Sequence, residues 1–160
     1  MPNPESWFGH TATSVNTDKV IVFGGAVGTG VFRITNDTFS FECSTRTWTA
    51  IRPHNLTDGP SPRAAHASTC VDSNQLVIFG GAYSNGNLVD NELYLLKIIN
   101  RDSNAWWIKV PVWGNKPSAR YGHTLNYIKP YIILFGGTTG SETCNDIWVL
   151  NIENNPFQWM

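Results

Sequence analysis

Charge is scarce in this chain: Asp, Glu, Lys and Arg make up 14% of its 160 residues, against roughly 25% in ordinary soluble domains. Lys+Arg 11 against Asp+Glu 12 leave a net charge of −1, and the basic residues are scattered. No basic face is visible in the sequence, which argues against nucleic acid or an anionic membrane as partner. Cysteine is scarce too. Cys43, Cys70 and Cys144 are an odd count spaced 27 and 74 residues apart, with no C-x-x-C pair. That excludes a dense disulfide framework and fits reduced, mostly buried thiols in a cytoplasmic or nuclear protein. Long hydrophobic runs are missing: Val20-Ile21-Val22-Phe23 is typical, strand length rather than the ~20 residues of a membrane span. Met1-Pro2-Asn3-Pro4-Glu5 has neither a basic nor an apolar region, so no secretory signal is expected. Asn36-Asp37-Thr38 and Asn55-Leu56-Thr57 are accordingly read as chance sequons. Apolar residues at sustained helical spacing are lacking as well, and Pro and Gly interrupt the chain too often for a long helix.

What the chain has is repetition. Glycine doublets stand at Gly24-Gly25, Gly80-Gly81 and Gly136-Gly137, and both 80 − 24 and 136 − 80 give 56. A histidine precedes each doublet: His10, His66 and His123. Behind the doublets follow Asn36-Asp37 with Phe39, Asn91-Glu92 with Tyr94, and Asn145-Asp146 with Trp148. Each unit closes on tryptophan, at Trp48, at Trp106 or Trp107, and at Trp159. A fixed period of this size marks a repeat architecture.

The second unit shows what one repeat builds. Residues 65–71 are small and β-branched, with a turn at Asp72-Ser73-Asn74. Leu76-Val77-Ile78-Phe79 is a continuous apolar run, as in a strand buried on both faces, and Gly80-Gly81 ends it. Asn91 to Leu96 supplies a third strand, and Trp106 to Val110 a fourth after a turn over residues 100–104. Four short strands in about 50 residues describe one antiparallel sheet. Apolar on both faces, it has to stack against copies of itself, and radial stacking of such sheets is a β-propeller. The fold class is all-β: three four-stranded antiparallel blades over approximately 7–53, 63–112 and 119–160.

The series of His, apolar strand, Gly-Gly, Asn-acid-x-aromatic and Trp resembles the kelch repeat and covers the chain from about Trp7 to Trp159. The resemblance implies that each doublet ends the second strand of a blade. It also implies that the third-strand aromatics Phe39, Tyr94 and Trp148 pack between blades together with Trp48, Trp106 or Trp107, and Trp159. Pro62-Arg63-Ala64-Ala65-His66-Ala67, Ala119-Arg120-Tyr121-Gly122-His123-Thr124 and the ending Pro156-Phe157-Gln158-Trp159 are similar to one subgroup. These are the serine/threonine protein phosphatases with N-terminal kelch repeats, known from plants and apicomplexan parasites. There the propeller precedes a metal-dependent phosphatase and serves in substrate or partner binding. The G-D-x-H-G and G-N-H-E strings of that phosphatase are missing; Gly114-Asn115-Lys116 breaks off where the histidine would stand. This segment is therefore expected to be no enzyme, with no catalytic residue, metal or cofactor of its own.

Other chemistry is weaker. The Gly25 to Gly30 stretch follows a strand, but its glycine spacing, the missing G-K-[ST] and the β-like continuation speak against a phosphate loop. Tyr83-Ser84-Asn85-Gly86 nearly spells a nucleophile elbow, yet Ala82 replaces the first glycine. The in-register histidines allow a metal cluster, although one framework imidazole per blade, hydrogen-bonded to local backbone, is the simpler reading. Arg63 and Arg120 stand three residues before their histidines, where the first unit has Trp7. They serve either as ion pairs with Asp90, Glu92 or Asp146 and stack on aromatic rings, or as docking points for an acidic or phosphorylated segment. With Arg33 and Tyr83 they are the candidate partner-binding residues. The stretches 26–35, 82–90 and 138–144 differ in length between constant strands, as loops that carry specificity do. Three blades leave an apolar face open at each end, so self-association is expected, three plus three making a six-bladed ring.

Overall fold

The computed structural model describes residues 4–99 and 104–160. Among them the chain is all strand and loop, apart from one 3-10 turn at Leu56–Asp58. The residues of the turn expected over 100–104 lie outside the described residues except for Asn104.

The first blade is an antiparallel meander of Thr11–Ser14, Lys19–Phe23, Thr38–Glu42 and Thr47–Ile51. The second repeats it with Ala67–Asp72, Gln75–Phe79, Leu93–Ile99 and Asn104–Val110. The third has Thr124–Ile128, Tyr131–Phe135 and Ile147–Asn151. Its fourth pass is only begun: Met160 and Val149 exchange backbone hydrogen bonds of 2.8 and 2.9 Å, which sets Trp159 opposite Leu150.

Because side chains alternate between faces, each central strand feeds two cores. Ile21 and Phe23 of the first blade meet Leu76, Ile78, Tyr94, Leu96 and Trp107 of the second. Val77, Phe79 and Leu93 on the other face of the second blade meet Leu125, Ile132, Leu134, Leu150 and Trp159 of the third. Phe23 and Phe79 are fully enclosed, and each such side chain contributes about 1.5–3 kcal/mol by burial.

Register settles which tryptophan closes the second blade. Trp48 stands opposite Phe41, Trp107 opposite Leu96 and Trp159 opposite Leu150, each two residues past the third-strand aromatic. Trp107, 3% exposed, packs edge-on against Phe23 at 5.3 Å, whereas Trp106 is 42% exposed and stacks on His54. Of Trp106 and Trp107, the closing tryptophan is Trp107 rather than Trp106, since neighbouring strand residues point to opposite faces.

The chain between the first and second blades runs along the outer edge of the second. Asn55 Nδ2 donates to the Trp107 carbonyl at 2.7 Å, and Trp107 N–H donates to Asn55 Oδ1 at 2.8 Å. An asparagine amide thus takes the place of a fifth strand and covers an edge that would otherwise invite pairing. The next connection does likewise, with Val112–Trp113 pairing in parallel with Phe157–Gln158.

Candidate functional site

The glycine doublets join one blade to the next. Gly24, Gly80 and Gly136 have φ of +65°, +67° and +70°, where an L side chain is strained. Space is short as well: a Cβ on Gly24 would lie 2.7 Å from the Arg63 carbonyl and 2.9 Å from His66 Cε1. On Gly80 it would meet the Arg120 carbonyl and, at 2.6 Å, His123 Cε1. In the first two doublets the second glycine donates across the seam, Gly25 N–H to the Arg63 carbonyl and Gly81 N–H to the Arg120 carbonyl, both at 2.8 Å. His66 and His123 are therefore wedges seated in the glycine slot of the preceding blade.

Their surroundings keep these rings neutral. Burial, reinforced by the Arg63 charge, pushes His66 down to about 3; burial and Arg120 push His123 down to about 4. His66 Nε2 shares a 2.8 Å hydrogen bond with Thr11 Oγ1 of the first blade. The position equivalent to Thr11 in the second blade is Ala67, which has no hydroxyl, and neither nitrogen of His123 has a partner in hydrogen-bond geometry. The backbones of Phe23 and Phe79 oppose the two shifts weakly. The expected bond of each histidine to local backbone is thus replaced by packing into the neighbouring blade. His10, on the first blade, is exposed beside Trp7. No three His, Cys, Asp or Glu among the described residues are grouped to hold a metal ion.

Arg63 and Arg120, 0% and 1% exposed, are buried framework cations. Arg63 donates from Nε to the Ser61 carbonyl, from Nη1 to the Gly80 carbonyl at 3.1 Å, and lies 5.2 Å above the Tyr94 ring. Arg120 repeats this with the Ser118 and Gly136 carbonyls and adds a two-pronged pair with Asp146. That pair holds the Asp146 carboxyl down at about 2. Asp90, the counterpart for Arg63, is reached only at 3.5 Å, and there desolvation dominates and lowers the guanidinium. As surface docking points these two arginines are withdrawn: their donors are spent on the carbonyls that end the apolar strands. In the first blade Trp7 takes the arginine's place, edge-on to Phe39 at 5.3 Å, with its Nε1–H buried and unpartnered among the described residues.

Arg33 and Tyr83 are exposed, on the loops that follow the first two doublets. Arg33 keeps a loose 3.9 Å pair with Asp37, and Tyr83 donates to Ser61 Oγ at 3.3 Å. Sequence reading missed what stands beside Arg33. Phe8 and Phe32 meet edge-to-face at 4.9 Å, both about half exposed, next to Val31 at 90%. The signal was present as an apolar pair inside a Gly-rich loop. That loop is a hairpin in which Ala26–Val27 pairs with Arg33–Ile34, so the Gly25 to Gly30 stretch is a turn and not a phosphate cradle. The Asn55 sequon is equally closed to modification, its amide being held by Trp107.

Stacked meanders with glycine-slot seams, framework arginines and variable loops at one end define a β-propeller segment built to display loops. Residues 9–160 match the family described as the KLHDC2/KLHL20/DRC7 Kelch-repeats domain, and the chain belongs to the kelch-repeat family. It is 28% identical over 136 residues to serine/threonine-protein phosphatase BSL2 of Arabidopsis thaliana, covering 84% of this chain and 13% of that protein. It is 33% identical over 138 residues to tip elongation aberrant protein 1 of Schizosaccharomyces pombe, covering 85% and 11%. With Kelch domain-containing protein 10 of Homo sapiens it is 30% identical over 161 residues, 98% of this chain and 34% of that protein. The chain therefore spans between 11% and 34% of these relatives' lengths.

Proposed function

We propose that this chain is the partner-recruiting segment of a kelch-type serine/threonine protein phosphatase, binding proteins through the loops that follow its glycine doublets. The observation that carries the reading is the exposed Phe8, Val31 and Phe32 cluster with Arg33 beside it. Exposed aromatic side chains flanked by an arginine suit a protein partner with an apolar anchor next to an acidic or phosphorylated residue. Similarity to BSL2 and to the kelch phosphatase repeat starts supports the phosphatase attachment. The double variant Phe32→Ser, Arg33→Glu is expected to lose partner recovery in pull-downs while its circular dichroism stays that of the parent. Equal recovery would remove this loop from the interface. Phosphatase activity should co-purify with the full-length protein from its native cells, and its absence would sever the attachment.

A further inference from the structure

The two buried arginines occupy the same place in successive repeats, yet they are paired differently. Arg120 holds Asp146 from both Nη1 and Nη2, the latter at 2.9 Å. The residue of the second repeat that matches Asp146 is Glu92, and its carboxylate is turned away to Lys116 at 2.8 Å and Lys109 at 3.4 Å. Among the described residues the acid that reaches Arg63 is Asp90, which meets Nη2 at 3.5 Å. Asp90 is also held elsewhere, accepting from the Tyr94 hydroxyl at 3.0 Å and from the Glu92 N–H at 3.1 Å. A guanidinium that is 0% exposed therefore has a loosely held counter-ion, which is costly for a buried charge.

A hydroxyl lies against the same nitrogen. Arg63 Nη2 donates to Ser61 Oγ at 3.2 Å, and the exposed Tyr83 hydroxyl donates to that oxygen at 3.3 Å. Both bonds are long. Ser61 is half-buried between buried Pro60 and exposed Pro62, in a stretch without regular structure, and the proline after it biases it toward extended backbone. Ser61-Pro62 is the one place in the sequence where a Ser or Thr precedes proline. An acid stands at the matching position of the first repeat, Glu5 of Pro4-Glu5-Ser6-Trp7. In the third repeat Ser118 takes the same bond from Arg120, but Ala119 follows it and Asp146 already neutralises the guanidinium.

We propose that Ser61 is a phosphorylation site for a protein kinase that selects Ser-Pro, and that the phosphate becomes the close counter-ion of Arg63. Ser61 Oγ attacks the γ-phosphorus of ATP; the new P–O bond forms as the bond to ADP breaks, and the kinase's catalytic carboxylate takes the hydroxyl proton. The dianion is gripped by Arg63 Nη2 and the Tyr83 hydroxyl, both of which already reach Oγ. Asp90, facing a like charge, gives up Arg63 and keeps its bonds from Tyr94 and Glu92. Tyr83 then ties the loop over residues 82–90 to the entrance of its own blade. Phosphorylation thereby controls the presentation of one variable loop, and its effects are measurable without any partner.

The folded chain is incubated with ATP and a Ser-Pro-selective kinase, and the product is mapped by mass spectrometry. One phosphoryl group on Ser61 is expected, lost in Ser61→Ala. The phosphorylated chain should have a higher urea midpoint than the unmodified one. By phosphorus NMR its second ionisation should fall below the usual value of about 6. Amide signals of residues 82–90 should move on phosphorylation, and move less in Tyr83→Phe. A peptide of residues 56–66 that accepts phosphate while the folded chain does not would overturn the site. A midpoint that stays or falls, or a phosphate that titrates like free phosphoserine, would overturn its pairing with Arg63. If Ser61→Ala does not fold, the mapped position and the titration of the phosphorylated parent still decide.

Discussion

At the scale of single residues, equivalent positions in the repeat do different work, and comparing them exposes strain. Gly9, Ala65 and Gly122 all precede the repeat histidine and all have positive φ, of +66°, +55° and +69°. Ala65 alone pays the left-handed penalty, about 1–2 kcal/mol for an L residue. Its backbone is fixed there by two inter-blade bonds, one to Gly9 and one from Gly122. Ala65→Gly relieves the strain but loosens the unfolded chain, so a net gain of about 0.5–1 kcal/mol is expected. Urea unfolding measures it, and a lower midpoint for the variant would show that the Cβ contributes more by packing than it costs. The same comparison explains why the arginines were legible as residues but not as roles. Their three-residue offset from histidine is visible in sequence, whereas their enclosure follows from Ser61, Ser118 and the strand-end carbonyls, which carry no motif of their own.

At the scale of elements, the seam decides what a glycine is worth. Gly80 and Gly136 have nearly the same φ, so the conformational penalty of Gly→Ala is similar at both. Gly80→Ala also drives a methyl into the Arg120 carbonyl and the His123 ring, while the site at Gly136 has room within the single chain. Gly80→Ala is expected to cost at least about 2 kcal/mol more than Gly136→Ala in urea unfolding. Equal costs would mean that the His123 wedge yields freely and that the seams are soft. The doublets, their spacing and the four-strand blades were readable because apolar runs and turn residues repeat in register. The identity of the closing tryptophan was not. Trp106 and Trp107 are adjacent, and only the pairing of Trp107 with Leu96 says which of them faces the core. The Phe8–Phe32 contact was hidden for a related reason, since it joins an inner-strand entry to a hairpin tip 24 residues away.

At the scale of the whole molecule, the buried histidines and the paired carboxylates bias the fold against acid. His66 and His123 take up protons near pH 6.5 when unfolded, but only near 3 and 4 when folded. Between those limits the unfolded chain binds more protons, so stability rises with pH across the window and is complete only above about pH 6.5. Carboxylates add loss in the same direction but lower down. Asp146 falls from 3.8 to about 2 beside Arg120, and Glu92 is lowered chiefly by its bond from Lys116. Their stabilisation is present above the ordinary carboxylate range and disappears as pH drops through the lowered values. Acid should therefore act in two stages, the histidines first. Well below pH 6 each buried histidine contributes a slope of about 1.4 kcal/mol per pH unit, so the pair outweighs the partly exposed ion pairs. Urea midpoints at fixed protein concentration are expected to fall steadily from pH 7 to pH 5. His123→Gln should flatten that fall by about half, because its amide cannot titrate. A midpoint that holds constant from pH 7 to pH 5 would mean that water reaches both rings and that the seams are not dry.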